Sequence, residues 1–328
     1  MIDVNQDLRQ GMKTERAASA PRYSIVSTMY RSAGFIPAFL SQCLEALRAI
    51  HCEDFEIVLV NDGSPDESLD VALAARAQIP RLVVVDLSRN FGHHAAMLAG
   101  LGAARGERVF LIDCDLEVSP GVLVELDAKL NETKADMVYG YQEARKGGRF
   151  EKLSGGLFYK GFNLLSDTHI PENVATERVM TRPYVEALLR MGDKNLFLAG
   201  MMSWAGFKQI GIVVKKKQRD GRSTYTLRRK LSLLINAVAS FSAKPLMWLF
   251  TGGLCVTGLS LAYVVYLIAR KIFFDDALLG FTSVMALTAL SLGVTTTGLG
   301  LIGIYLGKVF SQVQNRPTYI VRGIHGRD

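Results

Sequence analysis

Beyond residue 22 the chain alternates short, uninterrupted apolar runs with longer stretches in which apolar residues recur every three or four positions. The runs Tyr23–Thr28, Phe55–Asn61, Leu82–Leu87 and Arg108–Asp113 have the length and composition of buried strands. Between them, Phe35–His51, Asp66–Gln78 and Ala95–Arg105 carry helical spacing. This rhythm predicts a βαβαβαβ unit, a parallel sheet covered by helices. Ligands of such sheets bind beyond the carboxyl ends of the strands. The polar clusters of this chain fall at those ends: Asn61-Asp62-Gly63-Ser64 after the second strand, Arg89-Asn90-Phe91-Gly92 after the third and Asp113-Cys114-Asp115-Leu116-Glu117 after the fourth. No GxGxxG or GKS/T loop follows the first strand, which weakens a dinucleotide or P-loop reading.

Farther along, Gly147 to Gly192 reads as helical patterning broken by a polar loop from Asp167 to Glu177. Lys208 to Lys230 then holds nine basic residues and one acidic. Thr226 to Ala243 alternates basic and apolar residues in the manner of a helix lying on a membrane surface, and Pro245 is expected to end it. Two uncharged windows follow, Leu246 to Ile268 and Ala277 to Gly307, each able to span a bilayer, which takes ~20 apolar residues. Glycines at 293, 298, 300, 303 and 307 suggest close helix packing, within one chain or between copies in a homo-oligomer. The resulting division is a loose leader over 1–22, a cytoplasmic α/β domain over 23–225, a juxtamembrane helix over 226–245, two transmembrane helices over 246–307 and a cytoplasmic tail over 308–328.

Composition sharpens this picture. At 328 residues, 49% apolar and 21% charged, the chain is neither disordered nor fibrous, and its mean hydropathy of +0.19 is high for a purely soluble protein. Residues 1–207 hold 22 Lys and Arg against 27 Asp and Glu, whereas residues 208–328 hold 16 against 4. Basic residues flanking apolar windows mark the cytoplasmic side and its anionic lipids, a better fit than nucleic acid, and they place both termini in the cytoplasm. The four cysteines have neither zinc-knuckle nor redox spacing, and Met1 to Arg22 lacks the apolar core of a signal peptide.

The chemistry concentrates in two clusters. In extended chain, alternate residues point the same way, so Asp113, Asp115 and Glu117 are expected to face one cavity. Hard oxygen ligands of this kind suit Mg²⁺ or Mn²⁺, which complete their shells with water and substrate phosphates. A solvated acidic turn before Pro120 accounts for the same residues. Asp62 stands beside a glycine where a carboxylate can accept the N–H of a base, although a turn before a helix selects the same residues. Taken together, the two clusters outline a nucleoside-diphosphate pocket.

From Tyr23 onward the chain resembles the family 2 glycosyltransferases, in particular the polyprenyl-phosphate group that includes relatives of dolichol-phosphate mannose synthase. The matching stretches are residues 24–30, 60–66 (Val-Asn-Asp-Gly-Ser-Pro-Asp), 87–96 (Leu-Ser-Arg-Asn-Phe-Gly-His-His-Ala-Ala), 113–117, 221–225 (Gly-Arg-Ser-Thr-Tyr), 241–246, 305–310 and 316–321. The resemblance implies a GT-A-type, Rossmann-like nucleotide-sugar domain. It also implies that Tyr30 and Asp62 hold the nucleoside, Asp113 the ribose or base, and Asp115, with Glu117, a divalent metal. Asn90 belongs to a matched substrate-binding stretch, and Arg178 matches an arginine near the reaction centre. Arg219, Arg222, Ser223 and Tyr225 resemble a loop that orders over bound substrates. Three positions depart from the family pattern. Arg31-Ser32 replaces Asn-Glu, Glu117 replaces Gln, and Thr176-Glu177 replaces Asp-Phe, which leaves Glu177 as a substitute base or as an exposed glutamate at a helix start.

The expected activity is metal-dependent, inverting transfer of a sugar from a UDP-linked donor to undecaprenyl-type phosphate at the cytoplasmic membrane face. A processive polysaccharide synthase would carry a Gln-x-x-Arg-Trp motif and more spans, and neither is present in the sequence. A non-catalytic membrane scaffold would have no need of Asp62, Asp113 and Asp115 together. His93 and His94, adjacent and pointing apart, read as hydrogen-bonding loop residues. Trp204 and Phe207 read either as flanking the sugar or as core.

Overall fold

The computed structural model describes residues 20–142, 163–166, 170–171, 173–216, 238–240, 242–274 and 280–327. The chain divides into two compact units: Met1–Gly156, Ile170–Thr224 and Pro317–Asp328 form the first, Leu157–His169 and Tyr225–Arg316 the second.

In the first unit the four expected strands are present as β1 (Tyr23–Met29), β2 (Phe55–Asn61), β3 (Leu82–Leu87) and β4 (Arg108–Leu111). They are joined by α1 (Ile36–Ala49), α2 (Ser68–Ala75) and α3 (His93–Ala103). β1 pairs in parallel with both β2 and β4, and β2 pairs in parallel with β3. Helices on both faces require strands that are apolar throughout, and Ile25, Val26, Ile57, Val58, Val84 and Phe110 are completely buried. Gly100 lets α3 approach β1 closely, since a Cβ there would lie 2.4 Å from Val26 Cγ1.

After β4 a single 3₁₀ turn, Pro120–Val122, leads into α4 (Leu123–Thr133). Then come β5 (Met137–Tyr141), β6 (Val174–Thr181), α5 (Arg182–Arg190), α6 (Leu198–Trp204) and β7 (Gln209–Val213). β6 runs antiparallel to both β4 and β5, and β5 runs parallel to β7. The reading of 147–192 as helical patterning broken by a loop over 167–177 is therefore corrected at 174–181, which is a strand inside the sheet. Charged Glu177 and Arg178 are both buried in it, so its sequence lacks the apolar run that marks the central strands.

The eighth strand, β8 (Val321–His325), pairs antiparallel with β3. The full sheet is mixed, in the order β7-β5-β6-β4-β1-β2-β3-β8. Residues 308–328, expected as a cytoplasmic tail, thus contribute a strand that covers what would otherwise be an open sheet edge. Arg327 is nearly buried and reaches Glu56 Oε2 at 3.2 Å as well as the Ala103 carbonyl.

The second unit is dominated by α7 (Lys244–Phe274) and α8 (Phe281–Val313). Large apolar side chains stand uncovered on both, among them Phe250, Leu259, Leu299 and Leu306. Of the two expected spans, only Ser291–Val313 is apolar and long enough to cross a membrane when the described residues are considered. Gly298 is the one glycine of the expected stripe that meets the other helix among the described residues, its Cβ position lying 3.4 Å from Leu249. Most of the expected surface helix, residues 226–237, lies outside the described residues.

Candidate active site

Three strand-end loops of the first unit are tied together through their backbones. Gly63, with φ +59°, approaches the 89–90 peptide so closely that a Cβ would lie 2.4 Å from the Asn90 nitrogen. The buried carboxylate of Asp62 accepts the N–H groups of Phe91 (2.7 Å) and Gly92 (3.0 Å). Gly92, with φ +95° and ψ 153°, holds a conformation open only to glycine and starts α3. On the other side, the Asp62 N–H donates to Met29 O at 3.2 Å and the Arg31 N–H to Ser64 Oγ at 2.7 Å. Burial pushes the Asp62 carboxyl up, against the opposing pull of the two N–H donors. Asp62 therefore organises the third-strand loop, a role its turn sequence did not announce. Tyr30 and Asn90 remain exposed at the rim, and the Arg31 guanidinium lies 5.7 Å from the Tyr30 ring centre.

The acidic motif assembles differently from its sequence-based expectation. β4 ends at Leu111, and Leu116 adopts a left-handed φ of +59°, so residues 113–117 form a turn and strand alternation does not aim the carboxylates. Asp115 Oδ1 accepts the Glu117 N–H at 3.1 Å, and Glu117 forms an ion pair with Lys216. Burial raises the Asp115 carboxyl, with the Glu117 and Asp113 charges adding to it and the Glu117 N–H and Lys216 opposing. Lys216 is itself held above its ordinary value. Burial alone would lower it, but the bond to Glu117 and the charges of Glu177 and Asp115 outweigh that. Among the described residues, no three His, Cys, Asp or Glu side chains stand close enough to hold a metal between them.

Glu177 is the largest departure from expectation. It is only 2% exposed, lies in β6 rather than at a helix start, and its Oε2 has no hydrogen-bond partner among the described residues. Burial raises its carboxyl and the Asp113 charge raises it further, while Lys216 and Arg178 oppose. Arg178, next in the strand, is buried; its guanidinium donates to Thr176 O (2.8 Å) and Ala175 O (2.6 Å) and touches the Met202 sulfur. Together with Tyr139, Met202 and Gln209 it lines a small cavity under α6. Arg219, Arg222, Ser223 and Tyr225 lie outside the described residues.

Two further residues shape the site. His93 lies with Nε2 3.3 Å from Asp113 Oδ1 and Nδ1 3.1 Å from Thr28 Oγ1, bridging the ends of β1 and β4. Lys216, counted in the sequence only among the nine basic residues of Lys208 to Lys230, pairs with Glu117 of the acidic turn. No local signal links it to Glu117, because the two are brought together through the sheet order β7-β5-β6-β4. His94 turns away toward Leu196 O at 3.3 Å, separately from His93, as their opposed directions suggested. Phe207 packs edge-on against buried Tyr184, with ring centres 5.3 Å apart, and Trp204 stays 66% exposed.

Relatives match this chain in sequence along nearly its whole length. A Mycobacterium tuberculosis protein named among the glycosyltransferases is 40% identical over 307 residues, covering 94% of this chain and 89% of its own. The bactoprenol glucosyl transferase of Shigella phage SfII is 32% identical over 308 residues, covering 93% and 98%. Among solved structures, the mannosyltransferase PcManGT from Pyrobaculum calidifontis, in complex with GDP-Man and Mn²⁺, is 16% identical with a TM-score of 0.42, covering 91% of this chain and 89% of that one. Residues 24–189, the stretch holding β1 to β6 and every loop of the acidic pocket, match the family described as Glycosyl transferase family 2. An α/β sheet with an acidic pocket at its strand ends, matched over this length, makes the chain a glycosyltransferase belonging to Glycosyl transferase family 2.

Proposed function

We propose that this enzyme moves a sugar from a UDP-linked donor to a polyprenyl phosphate at the cytoplasmic face of a membrane, with inversion at the anomeric carbon. The observation that carries this reading is the bactoprenol glucosyl transferase similarity, which extends beyond the catalytic sheet through both long helices. In this reading Tyr30, Asn90 and the loops fixed by Asp62 surround the nucleoside, and Asp113, steadied by His93, faces the ribose or base. Arg219, Arg222, Ser223 and Tyr225, outside the described residues, are assigned to substrate binding on the family resemblance.

The acidic turn suits a divalent cation. Mg²⁺ is ordinarily held by one or two carboxylates and completed by substrate phosphates and water, so a cluster of three protein ligands is not needed. Asp113, Asp115 and Glu117 outnumber Lys216 beside them, a surplus of negative charge that suits Mg²⁺ or Mn²⁺. When bound, the ion supplies Lewis-acid stabilisation of the departing diphosphate. Asp115 and Glu117 would hold it, Lys216 keeps Glu117 oriented, and buried Arg178 adds positive potential near Asp113.

No general base is required. A phosphate monoester has a second pKa of about 6 and already presents an anionic oxygen at neutral pH.

The sheet topology supports the membrane reading. β8 follows the two long helices and pairs with β3 of the same sheet that precedes them. A chain that leaves one side of a membrane and returns to it crosses an even number of times, so α7 and α8 are read as two spans, with both termini cytoplasmic.

The test is incubation of purified protein with undecaprenyl phosphate, Mg²⁺ and labelled UDP-sugars, followed by lipid extraction. Label in the lipid fraction is expected. Label in polymer, or release of free sugar without lipid product, overturns the assignment.

A further inference from the structure

The C-terminal strand does more than cover a sheet edge. Asp86, at the end of β3, is buried, and its two carboxylate oxygens serve different partners. Oδ1 accepts from Asn61 Nδ2 at 2.8 Å, and Oδ2 faces Arg322 Nη1 at 3.3 Å. Asn61 in turn accepts the Ser64 N–H on its Oδ1 at 3.1 Å, which shapes the loop holding Asp62 and Gly63. The second arm of the Arg322 guanidinium donates to Ser88 O at 2.7 Å, and the Ser88 N–H donates to Ile320 O at 2.9 Å. Ser88 begins the loop whose Phe91 and Gly92 N–H groups bind Asp62. One arginine on β8 thus joins both loops through a single buried carboxylate.

We propose that Arg322 is a positioning residue for the nucleotide donor, making the strand that follows the long helices a working part of the donor site. The inference rests on the donor reading of loops 61–64 and 88–92. The planar guanidinium fork suits the task because it meets a carboxylate and a carbonyl at once, which a lysine ammonium on a flexible stem does less well. The Arg322 side chain is 63% exposed, so the charge attraction alone is screened by solvent. What its loss releases is the orientation of Asp86 and of the Ser88 carbonyl.

The test compares full-length wild type, Arg322→Ala and Arg322→Lys in detergent. Amide hydrogen exchange without any ligand should show faster exchange at Ser64, Phe91 and Gly92 in Arg322→Ala, with the α1 amides unchanged. UDP affinity measured with Mg²⁺ should fall about three- to tenfold, the scale of one ordinary net hydrogen bond, because solvent screens the charge of the exposed guanidinium. The KM for undecaprenyl phosphate should stay constant, and Arg322→Lys should fall between the other two. Unchanged exchange at the three amides, or equal weakening of donor and acceptor, overturns the positioning role. Absence of UDP and GDP binding to the wild type would instead remove the donor reading, and the exchange result would still decide whether Arg322 sets the loops.

Discussion

Gly63 lies against Asn90 with no room for a side chain: a Cβ would stand 2.4 Å from the Asn90 nitrogen and 2.5 Å from the Arg89 carbonyl carbon. Both neighbours are backbone and cannot rotate away, and the φ of +59° is unfavourable for any L side chain. Gly63→Ala should therefore separate two loops of the proposed nucleotide pocket. We expect a stability loss of about 1–3 kcal/mol, the usual cost of overpacking or backbone strain, together with weaker UDP binding. Thermal melts and calorimetric titration check this, and an unchanged melting temperature with unchanged affinity would mean that the two loops are not in contact.

Asp115→Ala should abolish transfer while leaving the fold intact, because the residue sits on a turn outside the hydrophobic core. Losing a metal contact removes several kcal/mol of transition-state stabilisation. Retention of more than about a tenth of wild-type turnover, a loss below ~1.4 kcal/mol, would show that Asp115 does not hold the metal.

Glu177→Gln should stabilise the protein at neutral pH. The folded-state carboxyl is raised by burial, so it binds a proton more readily folded than unfolded. The penalty for ionising it is therefore fully present above the raised folded value and disappears as pH falls below the ordinary glutamate value of ~4.3. The variant should melt a few degrees higher at pH 7, on the order of 2–4 °C per kcal/mol for a domain of this size, and match wild type near pH 4. A lower melting temperature at pH 7 would show that the ionised carboxylate is paired.

The same variant tests the mechanism. With no base needed, Glu177→Gln should keep most of its activity, and the wild-type rate should decline below about pH 6 as the acceptor phosphate gains a proton. A loss of about three orders of magnitude, with donor and lipid binding intact, would identify Glu177 as a base and end the base-free account.

Tags at positions 1 and 328 should both be reached from the cytoplasm, and a cysteine at position 275 only from the opposite side. The basic flanks and the return of β8 to the sheet motivate this. Labelling of position 275 from the cytoplasm in sealed cells would exclude two spans.

The local pattern of the chain determined its central strands and helices, because β1 to β4 are buried on both faces and must be apolar throughout, while α1 to α3 each pack against the sheet. It also placed the polar clusters at the ends of the parallel strands, where the structure has their loops. It did not reveal β6, whose buried Glu177 and Arg178 are charges that only neighbouring strands can accommodate. Nor did it reveal Lys216 beside Glu117, or Arg322 beside Asp86, pairs separated by 99 and 236 residues. Sequence periodicity records which face of an element is buried. The partner of a charged group across the sheet is set by strand order, which is decided when the whole chain closes on itself.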